Sequence, residues 1–123
     1  MSDKKFSITD RIKSFGFAFE GIAVFFKTQH NAWIHLLAAI MAVAAGFYFR
    51  IASEEWCWIV TAIALVFITE MFNTAIEFLC DAVSPEIHPQ IKKVKDVSAA
   101  AVLLSSIAAV VIALVIFSPK IML

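Results

Sequence analysis

Three long apolar runs, at about residues 32–49, 56–80 and 97–117, constrain this chain more than any other feature. A membrane-spanning helix needs roughly 17–25 mostly apolar residues, since each adds ~1.5 Å towards a hydrocarbon layer about 30 Å thick. All three runs meet that length. The first holds no charged residue and a single His35, the second holds Glu70 and Glu77, and the third has no charge. Inside lipid the backbone must pair with itself, which leaves helices or a closed barrel. The runs do not alternate, and that argues against a barrel. Composition agrees: 62% hydrophobic and 16% charged, with a mean hydropathy of +0.89, against a typical ~45–50% and ~25%. A soluble domain of 123 residues buries too little of its surface to hide so much apolar area. Two Cys exclude a disulfide scaffold, and 12 Phe with 3 Trp exclude a disordered chain. Cys57 and Cys80 would stand about 34 Å apart on a straight helix, beyond disulfide reach. The predicted class is an all-α membrane protein, one membrane domain over residues 1–123.

Residues 1–28 differ, because charges recur throughout them. Ile8, Ile12, Phe15, Phe19, Ile22 and Phe26 repeat at spacings of four and three, a single helical stripe. Ser7 followed by Asp10 resembles a capping box. The segment lacks the compact apolar core and small-residue cleavage site of a signal peptide. An amphipathic helix lying in the membrane interface, packed on the spans or both, accounts for the pattern.

Ten basic and ten acidic residues cancel, so no polyanion signature is present and nucleic acid is not an expected partner. Their distribution is more informative. Lys4, Lys5, Arg11, Lys13 and Lys27 precede the first span, Arg50 alone lies in the first loop, Lys92, Lys93 and Lys95 fall in the second, and Lys120 follows the third. Positive charge collects on the cytoplasmic side. The N-terminus and second loop are therefore expected inside and the C-terminus outside, with Trp56 and Trp58 anchoring the outer interface.

The second span carries the chemistry. Glu70, Asn73, Glu77 and Asp81 sit at offsets of zero, three, seven and eleven. At about 100° per residue they occupy an arc of roughly 60°, with Thr74 on its edge. Intramembrane carboxylates each cost about 2.5–3.5 kcal/mol at the bilayer centre and are functional by default. The bland alternative is a hydrogen-bonded seam between helices. The sharper reading is a divalent-cation site plus a proton-accepting group. Ser84-Pro85-Glu86-Ile87-His88-Pro89 reads as a short, rigid turn. Lys92 and Lys93 suit topology or anionic lipid, whereas Lys95 and Asp96 stand where they can point back at the acidic face. Carboxylates for a metal and Lys for phosphate together suit a metal–phosphate complex. His35 has two readings, a proton relay or, more commonly, a hydrogen bond to a neighbouring helix. Ser98, Ala101, Ser105, Ala108 and Ala109 give the third span a small-residue face for close packing.

The run Glu70-Met-Phe-Asn73-Thr-Ala-Ile-Glu77-Phe-Leu-Cys-Asp81 resembles the ExxNxxxExxxD segment of the prokaryotic diacylglycerol kinases and the related undecaprenol kinases. Lys95-Asp96-Val-Ser-Ala-Ala-Ala-Val-Leu-Leu resembles their KDxxxAAVLL segment. The similarity extends over nearly the whole chain, including Gly16 and Gly21; His88-Pro89 and Asn31 with Ile34-His35 look more like the undecaprenol-kinase branch. The resemblance implies a homotrimer in the bacterial inner membrane, with active sites between subunits at the cytoplasmic surface. It implies transfer of the γ-phosphate of ATP, with Mg2+ as cofactor, to diacylglycerol or undecaprenol. There is no Walker A or Gly-rich kinase loop, so nucleotide binding is not read from a soluble-kinase motif.

By resemblance, Glu70 and Asn73 take catalytic positions. Glu77 and Gln29 take metal positions. Arg11, Phe17, Gln29, Glu77, Glu86, His88, Lys95 and Asp96 take nucleotide positions. Arg11, Phe15, Gly16, Phe19, Glu70 and Ala99 take lipid positions. The sequence departs from the family in two places: Gln29 replaces an acidic metal ligand and supplies no charge, and Trp33 stands at a neighbouring Arg position. Gln29 leaves room for a catalytically impaired relative with a structural role. An ion or proton carrier is the other alternative, opposed by the absence of any relay through the third span.

Overall fold

In the computed structural model, which describes residues 5–83, 86 and 88–122, the chain forms four helices: α1 (Ile8–Thr28), α2 (His30–Phe49), α3 (Ser53–Val83) and α4 (Pro89–Ile121). No strand occurs among the described residues. Helices α2, α3 and α4 are each long and apolar enough to cross a membrane, so the protein is a three-span membrane protein with an additional N-terminal helix. Lys4 and the Ser84, Pro85 and Ile87 positions of the expected rigid turn lie outside the described residues.

Helix α1 begins where the sequence predicts. The Ser7 hydroxyl accepts from the Asp10 backbone N–H at 3.3 Å, and Asp10 and Lys27 suit the helix dipole at opposite ends. Its residues from Ile8 to Val24 are exposed, and Phe25 is its buried residue. Gln29 alone links it to α2, in extended backbone (φ −118°, ψ 113°). Aromatic side chains fix this elbow. Phe25 and Phe26 pack on Phe67 of α3, and Phe26 meets the Trp33 ring at 5.2 Å. The Trp33 indole N–H also donates to the Phe26 carbonyl at 2.8 Å. Trp33 thereby satisfies a carbonyl left over in the last turn of α1, a structural task for the residue that departs from the family pattern.

The α2–α3 turn is a Schellman motif. Ile51 N–H bonds to Gly46 O at 3.1 Å and Arg50 N–H to Phe47 O at 3.3 Å, with Arg50 in the left-handed region (φ 52°). Helix α3 opens with the Glu55 carboxylate accepting from Ala52 N–H at 3.0 Å. Buried Ile51, Ile59 and Ile116 form the core at this end, covered by Phe49, Trp56 and Phe117. Lys120 of α4 closes it with a 2.7 Å ion pair to Glu55. Trp56 therefore packs inward, against the expectation of an interfacial anchor. Its ring lies 4.8 Å from Phe47 and over Gly46, while Trp58 remains exposed. Residues two apart on a helix point about 200° from each other, so only one of the pair faces the core.

Helices α3 and α4 make the most extensive contact. Ser98 and Ser105 are buried in it, and Thr69 Oγ1 meets Ser105 Oγ at 2.7 Å, as the small-residue face predicts. Helix α4 starts well before its apolar run. His88 caps it, Nδ1 accepting from Gln90 N–H at 3.1 Å, and Pro89 occupies the first turn. Lys92, Lys93 and Lys95 thus lie on α4, not in a loop. Apolar length marks the part of a helix in lipid, and the helix itself continues through its charged turns. At 33 residues, α4 is about 50 Å long, well beyond the ~30 Å hydrocarbon thickness.

Candidate active site

The polar face of α3 is read here from its deepest residue towards the end of the helix. Glu70 is 6% exposed. Its Oε1 lies 2.8 Å from His35 Nε2 on α2, which is the neighbouring-helix hydrogen bond expected of that His. One turn on, Asn73 is half-buried, and its Nδ2 donates to Glu77 Oε1 at the long distance of 3.5 Å. Asn73 Oδ1 and Thr74 Oγ1 are buried without a hydrogen-bond partner among the described residues. Buried polar atoms are paired in nearly all native structures, so these two atoms are exceptions, and they lie beside the acidic residues of α3. Asp81, at the last turns, is exposed and receives Lys95 Nζ at 3.3 Å. Lys95 therefore does reach back to the acidic face. Asp96 does not: it turns along α4 to Lys92, 2.6 Å away.

The four residues share a face of α3 but not a single pocket. Glu70 leans on α2, whereas Asn73 lines a cleft of about 610 Å³ between α3 and α4, together with Gln90, Lys93 and Ser98. His35 lines a second cavity of about 260 Å³, walled mainly by small apolar residues of α2, α3 and α4. His88 caps α4 beside these groups in sequence, and Glu86 lies exposed in the preceding turn.

The α1 candidates stand elsewhere. Arg11, Phe15, Gly16, Phe17 and Phe19 are exposed, and so is Ala99 on α4. The Arg11 guanidinium sits 5.8 Å from the Phe6 ring centroid. Among the described residues no hydrogen bond or ion pair joins these side chains to the α3 face. Gln29 is half-buried in the elbow and makes no side-chain capping bond. No group of three or more His, Cys, Asp or Glu that could hold a metal occurs among the described residues. The pairing of His35 with Glu70 was not specified from sequence. The signal was available, since the two lie at comparable distances from the Arg50–Ala52 turn and so at similar depth.

The acids and the amide lie on α3, and the returning Lys95 comes from α4. The sequence profile described as prokaryotic diacylglycerol kinase matches residues 16–117. The chain belongs to that family. Among similar proteins, an undecaprenol kinase of Bacillus subtilis (strain 168) is 36% identical over 108 residues, covering 88% of this chain and 88% of its own length. A diacylglycerol kinase of Synechocystis sp. is 34% identical over 100 residues, covering 80% of this chain and 57% of that protein. The diacylglycerol kinase of Escherichia coli (strain K12) is 26% identical over 111 residues, 90% and 91% of the two chains. Membership makes the protein a membrane lipid kinase that carries out ATP-dependent phosphoryl transfer, and Glu70 to Asp81 fall inside the matched region.

Proposed function

We propose that this kinase moves the γ-phosphate of ATP to the hydroxyl of a membrane lipid, with Glu70 as the base. The observation that carries this is a buried carboxylate, six per cent exposed, on the same face of α3 as Asn73, Glu77 and Asp81, with Lys95 of α4 paired to the last of them. A hydroxyl on a lipid cannot leave the membrane, so its base must sit at depth, while the nucleotide must stay at the surface. Glu70 takes the hydroxyl proton as the lipid oxygen forms its bond to the γ-phosphorus. The bond from that phosphorus to the bridging oxygen breaks, and its electron pair leaves on ADP. Positioning and neutralisation of phosphate charge supply most of the catalysis in such transfers.

A magnesium ion fits the donor set on α3. Mg2+ is typically held by one or two protein oxygens together with substrate phosphates and water. The Glu77 carboxylate and the unpaired Asn73 Oδ1 offer two such oxygens, and Gln29 offers a neutral third. When bound, the ion would neutralise phosphate charge. Lys95 would contact phosphate on leaving Asp81, with Glu86, His88, Asp96, Arg11 and Phe17 around the nucleotide. Arg11, Phe15, Gly16 and Phe19 on the exposed side of α1, with Ala99, would meet the lipid. Their separation from Glu70 in one protomer favours a site completed between copies, and the family resemblance implies that the copies are three. The distribution of Lys and Arg favours an inner-membrane protein with its N-terminus in the cytoplasm and its C-terminus outside.

The 36% identity to an undecaprenol kinase makes undecaprenol the first alcohol to test and diacylglycerol the second. Purified protein with Mg2+ and γ-labelled ATP is expected to place label in one of these lipids. Label in neither, from protein of intact fold and assembly, contradicts the proposal.

A further inference from the structure

Glu70 and Asp81 lie on the same face of α3, yet the chain treats them differently. Asp81 is exposed and paired with a cation, Lys95. Glu70 is buried, and its partner is an imidazole, with side-chain exposures of 23% for His35 and 8% for Glu70. A neighbouring cation favours the ionised form of a carboxylate and so weakens it as a base. A neutral ring N–H orients a carboxylate without adding a full positive charge beside it. In the tautomer with its hydrogen on Nε2, His35 donates to Oε1 of the carboxylate. The ring is itself held in place, since Phe67 meets it edge-on at 6.4 Å and 72° and is backed by Phe25 and Phe26 from the α1 elbow.

We infer that His35 is the positioning residue of the catalytic carboxylate. It fixes Oε1 of Glu70 and so assigns Oε2 to the lipid hydroxyl. The terminal torsion of a Glu is broad and roughly two-fold, and an unrestrained carboxylate would rotate between orientations. The bond from α2 selects one of them. The proton of the lipid hydroxyl passes to Oε2, the lipid oxygen bonds to the γ-phosphorus, and ADP leaves with the pair from the broken bond. His35 gains and loses no atom. The inference rests on the kinase reading above and adds to it a residue of α2, a helix that contributes no other group to the acidic face. It also connects the interfacial helix to catalysis, because the aromatic elbow below α1 braces the ring that braces the base.

The test compares full-length wild type, Glu70→Gln, His35→Leu and His35→Gln in lipid micelles, with kcat and both KM values measured for each. Glutamine carries an N–H at nearly the reach of Nε2. His35→Leu is expected to lower kcat about 100-fold, the lower range for a positioned base, with KM for ATP and lipid within about twofold. His35→Gln is expected to recover to within about tenfold of wild type. A His35→Leu protein with kcat within threefold of wild type overturns the inference, as does a His35→Gln protein as impaired as the Leu variant. If His35→Leu does not fold, His35→Ala takes its place under the same criteria. Failure of the kinase reading looks different: wild type itself then transfers no phosphate to either alcohol.

Discussion

The two ends of the helical bundle are built on opposite terms. At the α2–α3 turn no buried side-chain polar atom among the described residues lacks a partner: the Schellman bonds close α2, Glu55 pairs with Lys120, and Ile51, Ile59 and Ile116 pack beneath Trp56. At the other end Asn73 Oδ1 and Thr74 Oγ1 lie buried without partners, and the Asp81–Lys95 pair is held in the open. Fold stability is therefore concentrated at the turn end, and unsatisfied polarity, which costs stability, at the site end. Such local violations of packing and pairing rules cluster at functional sites. On the proposed reading, the end of the bundle that holds these unpaired atoms is the one that meets the substrates.

That contrast breaks or sharpens under substitution. Glu77→Gln should have a large effect, lowering turnover about 100-fold at fixed magnesium, with part of the loss restored as magnesium is raised in a steady-state titration. An unchanged magnesium dependence would remove Glu77 from the metal site. Gly46→Ala should act on the turn end alone. Its added Cβ would stand 2.5 Å from the tip of the Trp56 ring, an overpacking worth about 1–3 kcal/mol. Denaturant unfolding in detergent should show that loss, with kcat nearly unchanged in the folded fraction. Lys120→Ala should cost less, because the pair is a quarter exposed on both sides and screened by solvent; equal stability of wild type and variant would make the latch irrelevant. Gly16→Ala is the smallest change to the fold. Nothing lies within 4 Å of the added Cβ, and Ala favours a helix over Gly by up to about 1 kcal/mol. Stability should hold or rise slightly, while a raised KM for lipid would report a contact made outside the protomer.

Much of the fold was legible in the sequence. The three spans follow from apolar length, α1 from its four-and-three stripe, and its start from Ser7, whose hydroxyl caps the helix as read. The acidic face of α3 follows from helical periodicity alone. What escaped depends on partners distant in the chain. Trp56 and Trp58 look equivalent in sequence, and the one that turns inward is set by its neighbours, Gly46 on another helix and the Ile51–Ile59–Ile116 core. Trp33 reads as a lost Arg until its N–H is seen on the Phe26 carbonyl. The start of α4 is masked in the sequence by its charged turns, and His88 and Pro89 cap the helix ahead of them. Asp96 was expected at the acidic face, but a Lys one turn back on its own helix offers a nearer partner. His35 was recognised as a residue that bonds across helices, and what sequence did not give was that its partner is Glu70.

The most direct test of the account is the transfer of labelled γ-phosphate to undecaprenol or diacylglycerol by wild type and by Glu70→Gln, at saturating ATP and magnesium. The amide keeps the size of the side chain and an oxygen for His35, but it cannot take a proton from an alcohol. The account predicts lipid labelling by wild type and a loss of about 100-fold or more in the variant, with nucleotide binding retained. Lipid labelling at the wild-type rate by Glu70→Gln would contradict it.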